Sequence, residues 1–361
     1  MPGPRSPGLF FDGPPPGRAG TLKIMVATLP PRVSLAATPT PIQPLPRLGA
    51  ALGLELSVKR DDLTGFAESG NKARKLEFLL HDALEQRADT LITVGALQSN
   101  CARATAVFAA RLGLRCVLGL RGTAPEAPDG NLFLATLFGA RAVFVPPEAV
   151  DSPEALFVQL AEDVRQAGGR PYVIPESGSN ELGAFGYAAA VQELQQQIAA
   201  GVLAPPDAIV VAAWSGGTLA GLHLGKALFG LRPEIWGVPV QFDAETIRAS
   251  VWATARKSAA RIGAEVHVER DAIHLLDGYQ GDGRAGVRPE ELAVVARAAR
   301  EGLLLDPVYT AKAFLALEDT ARRKPGLLGR RVLFLHTGGG FGVFPFRVPL
   351  ARLTDPGAAP A

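Results

Sequence analysis

The sequence predicts an α/β protein of two domains, each built on a parallel sheet with helical crossovers. Two observations carry that expectation. Short apolar runs with β-branched residues, such as Leu91-Ile92-Thr93-Val94 and the wholly apolar Ala208 to Ala212, alternate with longer stretches of helical periodicity. Strands that alternate with helices in this way pair in parallel. The chain has 361 residues, 47% hydrophobic and 20% charged, enough for two cores at ~150 residues per domain.

Taken in order, residues 1–30 are Pro/Gly-rich, lack hydrophobic periodicity and read as a disordered lead-in. No signal peptide is expected, because the apolar stretch from Ile24 to Leu29 is short and ends in Pro30-Pro31-Arg32. Pro41 to Leu48 reads as extended, since prolines disfavour helix on both sides of themselves. Leu54 to Val58 alternates like a strand, and Lys59-Arg60-Asp61-Asp62 and a turn at Gly65 follow. Leu76, Leu79, Leu80, Ala83 and Leu84 then share one helical face, with Asn71 as N-cap and Lys72 at the first helical position.

Four strands (Leu91 to Val94, Cys116 to Leu120, Ala142 to Val145, Tyr172 to Pro175) alternate with helices over Cys101 to Leu112, Asn131 to Phe138 and Pro153 to Gln166. They define an inserted small domain, residues 75–180. The large domain takes residues 31–74 and 181–354. Its later part has helices over Glu181 to Ala199, Thr218 to Leu228, Ala244 to Ile262, Pro289 to Glu301 and Thr310 to Ala321. Its strands are Ala208 to Ala212, Ile235 to Val238 and Val332 to His336. The tail from Asp355 is read as loose.

Composition narrows the function. A net charge of +2 gives no strong field for nucleic acid or an acidic membrane. No apolar run approaches the ~18 residues of a membrane span, so the cytoplasm is the expected compartment. Cys101 and Cys116 are too few for a disulfide framework, and His81, His223, His267, His274 and His336 lack ligand spacing, so no metal is expected.

Five stretches carry chemistry. An ammonium at Lys72 would sit in the positive end of a helix dipole, which disfavours its charge, and only a neutral amine attacks a carbonyl. The bland alternative is a solvated lysine beside Arg74 and Lys75. Trp214-Ser215-Gly216-Gly217-Thr218 leaves an apolar strand and opens a helix, a place for one phosphate held by backbone N–H groups, or else a plain capped turn. It is neither a Walker loop nor a dinucleotide fingerprint. Gln98-Ser99-Asn100 sits at a similar junction, where Ser99 either caps the helix or helps hold a substrate carboxylate. In Asp306-Pro307-Val308-Tyr309-Thr310, Tyr309 is either a core aromatic or an active-site acid. His336-Thr337-Gly338-Gly339-Gly340 lets a flat ring pass close to the backbone. Together, an aldehyde-reactive lysine, a monophosphate loop, a carboxylate nest and a hydroxyl near a ring nitrogen describe a pyridoxal phosphate site.

These stretches, with Ser69 to Glu77, Pro175 to Asn180 and Leu182 to Tyr187, run in an order that resembles the family of pyridoxal-phosphate enzymes comprising D-cysteine desulfhydrase and 1-aminocyclopropane-1-carboxylate (ACC) deaminase. The resemblance covers about residues 40 to 345. It implies a two-domain, three-layer fold of the tryptophan-synthase-β type (fold type II), a homodimer, and an amino acid as substrate. It also implies that Lys72 carries the cofactor, Asn100 bonds the ring hydroxyl oxygen and Ser215, Gly216, Gly217 and Thr218 hold the phosphate. Ser99 would hold the substrate carboxylate, Tyr309 would stand beside the substrate, and Thr310 would face the ring nitrogen.

The deaminase branch is expected to have glutamate at position 310 and leucine at 337. Thr310 and Thr337 instead match the desulfhydrase branch. A threonine hydroxyl leaves the ring a weaker electron sink, adequate for β-elimination of hydrosulfide. The expectation is therefore a lyase converting D-cysteine to pyruvate, ammonia and hydrogen sulfide. ACC deaminase, an L-cysteate sulfo-lyase or another β-substituted amino acid lyase are the alternatives. Three departures stand out: Trp214 replaces a glycine, Cys101 follows Asn100, and no tyrosine lies near Gly283 to Ala285, where a second one is expected.

Overall fold

The computed structural model describes residues 28–146, 153–281 and 286–354. Most of the lead-in, the tail from Asp355 and the position expected for a second tyrosine lie outside the described residues.

The chain forms two sheets with helices on their faces, an α/β architecture. The first elements are β1 (Ile42–Pro44), α1 (Pro46–Leu52), β2 (Glu55–Lys59) and α2 (Asn71–Glu85). The second group is β3 (Thr90–Ala96), α3 (Asn100–Leu112), β4 (Arg115–Arg121), α4 (Gly130–Leu137), β5 (Arg141–Val145), α5 (Pro153–Gln166) and β6 (Pro171–Val173). Then follow α6 (Phe185–Ala199), β7 (Ala208–Ala213), α7 (Gly217–Phe229), β8 (Glu234–Pro239), α8 (Ala244–Arg261) and β9 (His274–Leu275). The last are α9 (Pro289–Ala299), α10 (Thr310–Arg323), β10 (Arg331–Leu335) and α11 (Arg347–Thr354).

One sheet has the order β5-β4-β3-β6 and is wholly parallel. The other has the order β1-β2-β10-β7-β8-β9, parallel except for β1, which runs antiparallel to β2 at the edge. Residues 42–59 thus join the strands that follow residue 207 in a single sheet.

Burial explains why β7 carries no polar residue. Ala208, Val210 and Ala212 pack with Val294, Val295, Phe314 and Leu317 of α9 and α10. Ile209, Val211 and Ala213 pack with Val191, Leu194, Leu219 and Leu222 of α6 and α7. A strand covered on both faces needs a continuous apolar run, and the sheet becomes the middle of three layers. The smaller sheet repeats this: Ile92, Val94 and Val117 face Leu160, Ala161 and Val164 of α5.

A buried ionic knot ties α2 to this frame. Arg74 donates to both oxygens of Asp61 at 2.8 Å and to Glu193 of α6 at 2.8 Å. Lys59 of β2 also pairs with Glu193, and the hydroxyls of Thr40 and Tyr187 donate to Asp61 at 2.7 Å. Burial alone would raise the Asp61 carboxyl, but the charge and hydrogen bonds of Arg74, with Lys59 and Thr40, outweigh it and hold the group at about 2.

Several expectations shift. Pro41 to Leu48 is extended only as far as Pro44, because Pro46 stands at the first position of α1, where its missing N–H costs nothing. Asn71 is not a cap: the helix begins on it, Gly70 holds the N-cap, and Lys72 is one residue further in. The helix expected from Glu181 starts at Phe185, because the Asn180 side chain accepts from Gly183 N and holds a turn there. The two-residue β9 and the helix α11 show no periodicity that a sequence reading could use.

Candidate active site

The carboxyl ends of β3, β7 and β10 open toward one cavity. Crevices at strand carboxyl ends are the favoured ligand position in such sheets. Lys72, Ser99, Asn100, Ser215, Gly216, Gly217, Thr218 and Tyr309 all line it. Thr310 does not. It is fully buried, its hydroxyl donates to Asp306 Oδ1 at 2.7 Å, and Thr310 Oγ1 in turn accepts from Asp306 N at 2.8 Å.

Close backbone approach brings these stretches together. Gly70 has φ 109°, and a Cβ there would lie 2.8 Å from Thr337 O. The Asn71 N–H donates to the same carbonyl at 2.9 Å. His336 braces this turn from below: its Nε2 faces the carbonyl of Leu304 at 3.0 Å, which can only accept, so Nδ1 is free to accept from Gly338 N at 3.2 Å.

Lys72 Nζ lies 3.3 Å from the carbonyl of Ser177, and Lys75 Nζ lies 3.4 Å from it. Ser177 has φ 63°, a left-handed conformation that costs a non-glycine residue roughly 1–2 kcal/mol. Burial depresses the Lys72 amine below the ordinary lysine value, opposed by Cys101 and by the Glu176 carboxylate. Desolvation thus does what the helix dipole was expected to do. Lys75 is pushed well down by burial and then by the charge of Lys72. The Cys101 thiol is pushed up by burial. Tyr309 is also raised by burial, then by Asp306, so it remains a donor at neutral pH.

The loop after β7 presents donors suited to one phosphate. Helix α7 has no side-chain cap, so its first-turn N–H groups lack a side-chain acceptor. Ser215 Oγ and Lys75 Nζ both contact Ser179 Oγ, at 2.7 and 3.0 Å. Asn71 Nδ2 donates to Thr218 Oγ1 at 3.0 Å. A Cβ on Gly217 would lie 2.4 Å from Ser179 Oγ and 3.0 Å from Lys75 Nζ, so only glycine leaves this cradle open. Among the described residues, two lysines and no carboxylate line the cavity. The donor set therefore fits one phosphate and an aldehyde-bearing ring within reach of an amine.

Ser99 performs the bland role foreseen for it, accepting from Ala102 N at 3.1 Å as the cap of α3. That geometry also leaves it on the cavity wall. Lys75, Cys101, Ser177 and Trp214 line the cavity too but were not assigned site roles from the sequence. Lys75 was within reach of sequence reasoning, since it lies three residues from Lys72 on one helical face. Ser177 was not, because its role rests on a backbone carbonyl.

Comparisons with known proteins agree on the class. Residues 33–338 match the family model described as pyridoxal-phosphate dependent enzyme. The chain is 42% identical over 317 residues to a Thermotoga maritima protein named "Putative 1-aminocyclopropane-1-carboxylate deaminase", covering 87% of this chain and 97% of that one. It is 41% identical over 322 residues to a D-cysteine desulfhydrase of Klebsiella pneumoniae, covering 88% and 96%. The crystal structure of an ACC deaminase homologue superposes with a TM-score of 0.82 at 40% identity, covering 92% of this chain and 99% of that one.

Proposed function

Because the chain belongs to the pyridoxal-phosphate dependent enzyme family, we propose that it is a β-elimination lyase: D-cysteine and water give pyruvate, ammonia and hydrogen sulfide. The observation that carries this reading is the amine of Lys72 in the same cavity as the uncapped first turn of α7.

When bound, pyridoxal phosphate supplies an aldehyde that condenses with amines and a ring that accepts the electron pair left at the substrate Cα. The protein does the rest. Ser215, Gly216, Gly217 and Thr218 would hold the phosphate against the helix dipole, with Lys75 Nζ, beside Ser179 Oγ, as a further donor. Lys72, its amine pKa lowered by burial, would anchor the cofactor and, when free, would take the substrate α-proton on Nζ. Ser99 and the first-turn N–H groups of α3 hold the substrate carboxylate. The protonated Tyr309 hydroxyl hands a proton to the departing sulfur. Asn100 supports the cofactor from the opposite wall.

Thr310 and Thr337 match the desulfhydrase branch in sequence; of the two, Thr337 lines the cavity, while the Thr310 hydroxyl is engaged by Asp306. The similar identity to relatives of both names keeps ACC deaminase as the second reading. The domain division at residues 75 and 180, the cytoplasmic location and the homodimer belong to the same proposal. No helix among the described residues is long and apolar enough to cross a membrane.

Purified protein assayed with D-cysteine, L-cysteine, L-cysteate and ACC, with product identification, tests the reading. Pyruvate and sulfide from D-cysteine are the expected result. α-Ketobutyrate from ACC alone would replace it with the second reading, and a protein that takes up no cofactor would overturn both.

A further inference from the structure

The two-residue step from Gln98 to Asn100 is held by a hydrogen-bond chain whose polarity is set by the backbone. Asn131, on the first turn of α4, is 1% exposed. Its N–H donates to Gln98 Oε1 at 2.9 Å, while Gln98 Nε2 donates to the carbonyl of Asp129 at 3.0 Å. One partner can only donate and the other can only accept, so the Gln98 amide has one orientation. A Cβ on Gly130 would lie 2.7 Å from Gln98 Oε1, so the turn requires glycine at its φ of 53°.

The Asn131 amide is fixed in the same manner. One of its terminal atoms lies 2.9 Å from the backbone carbonyl of Gln98. A carbonyl cannot donate, so that atom is Nδ2. Its second hydrogen points to the Asn100 side chain at 3.0 Å, and the receiving atom must therefore be Oδ1. Asn131 leaves its own Oδ1 buried without a partner to make this arrangement. The Asn100 amide is thereby forced to keep Nδ2 as its free arm. That NH2 has no protein partner among the described residues, and Asn100 lines the cavity.

We infer that Asn131 is a positioning residue: it locks the Asn100 amide so that the cavity meets a hydrogen-bond donor rather than an acceptor. The inference rests on the proposed reading that Asn100 bonds the cofactor's ring hydroxyl oxygen. A donor favours that oxygen in its ionised form and lowers its pKa, whereas an inverted amide would present an oxygen and repel it.

Asn131→Asp tests this, because a side chain with at most one hydrogen cannot serve both Gln98 O and Asn100 Oδ1. It draws Asn100 Nδ2 away from the cavity. Cofactor affinity and the visible absorption of the purified holoprotein are measured across pH for wild type, Asn131→Asp, Asn100→Ala and the double variant. The cofactor dissociation constant of Asn131→Asp should rise about tenfold, the scale of one charge-assisted hydrogen bond. The pH midpoint of the absorption change should move up by about one unit. In the Asn100→Ala background the same substitution should change neither, because its effect passes through Asn100. Equal shifts in both backgrounds, or none in the wild-type background, would overturn the inference. Should Asn131→Asp fail to fold by circular dichroism, Asn131→Ala, which frees the amide, carries the same comparison with smaller shifts. A wild type that takes up no cofactor would count instead against the proposed function.

Discussion

The indole of Trp214 lies 5.3 Å from the ring of Tyr309, the two planes inclined at 55°, and Phe242 also meets the indole, edge-on at 6.4 Å. Tyr309 is thereby held between the cavity and an aromatic wall. The large residue beside the phosphate loop does not fill the phosphate cradle, which lies at Gly216 and Gly217. It narrows the space around the tyrosine. Trp214→Gly should leave cofactor uptake intact and lower stability by about 2–3 kcal/mol, since the indole is only partly buried. Steady-state assays should show kcat/KM for β-substituted alanines with bulky leaving groups rising about tenfold relative to D-cysteine. An unchanged ratio would mean that the indole does not bound the substrate space.

Lys72 should be indispensable for the cofactor's visible band, so Lys72→Ala protein should stay colourless after incubation with pyridoxal phosphate. Its pH behaviour follows from its surroundings. Burial lowers the amine's pKa, and the nearby Glu176 carboxylate, paired with Arg121, partly restores it. Glu176→Gln removes the restoring charge and leaves Arg121 without that partner, and both changes lower the Lys72 pKa further. The neutral amine then persists to lower pH. Stopped-flow measurements of cofactor uptake should show the pH midpoint moving toward acid by a fraction of a unit. A midpoint moving toward alkali would contradict the assignment of Lys72 as the attacking amine.

Position 310 carries a structural burden beside its proposed role. Burial raises the Asp306 carboxyl, and it is held by the Thr310 hydroxyl and by the N–H groups of Thr310, Tyr309 and Val308. Thr310→Val removes the hydroxyl from that network and should cost about 1–3 kcal/mol, read by urea unfolding, while Thr310→Ser should cost far less. Thr310→Glu adds a second carboxylate beside a buried one. It should lower stability more than Thr310→Val and weaken D-cysteine turnover. Unchanged turnover in Thr310→Glu would count against any use of position 310 to separate the two branches.

Much of this architecture could be read from the chain, because parallel sheets announce themselves through apolar runs such as β7 and helices through faces such as Leu76, Leu79 and Ala83. The cavity lining was equally legible where glycines and small polar residues sit at strand-to-helix junctions. What escaped was set by distant contacts. Thr310 was read as facing the cavity because sequence spacing cannot show that Asp306, four residues earlier, engages its hydroxyl. Ser177 enters through a carbonyl, which no side-chain pattern reports. Asn131 matters only because α4 brings it beside Asn100, and no motif spans that separation. The start of α6 was misplaced because the Asn180 turn competes with a helical pattern that is otherwise continuous.

The knot around Asp61 makes a prediction that couples stability to the site. Its folded-state pKa of about 2 lies below the ~3.9 of an unfolded aspartate. A depressed carboxyl contributes stability that is complete above the unfolded value and is lost as pH falls through the folded one. The difference corresponds to about 2–3 kcal/mol. Asp61→Asn should therefore unfold at lower urea concentration than wild type at neutral pH, and the gap should shrink between about pH 4 and pH 2. Arg74 retains Glu193 as a partner, so the loss should fall at or below the lower end of the ~3–5 kcal/mol seen when a buried pair is broken. Arg74 lies two residues from Lys72 on α2. Loosening its grip on Asp61 should weaken cofactor binding in the same acid range, before global unfolding. A gap that stays constant with pH would show that packing of the Asp61 side chain, not its charge, fixes α2 in place.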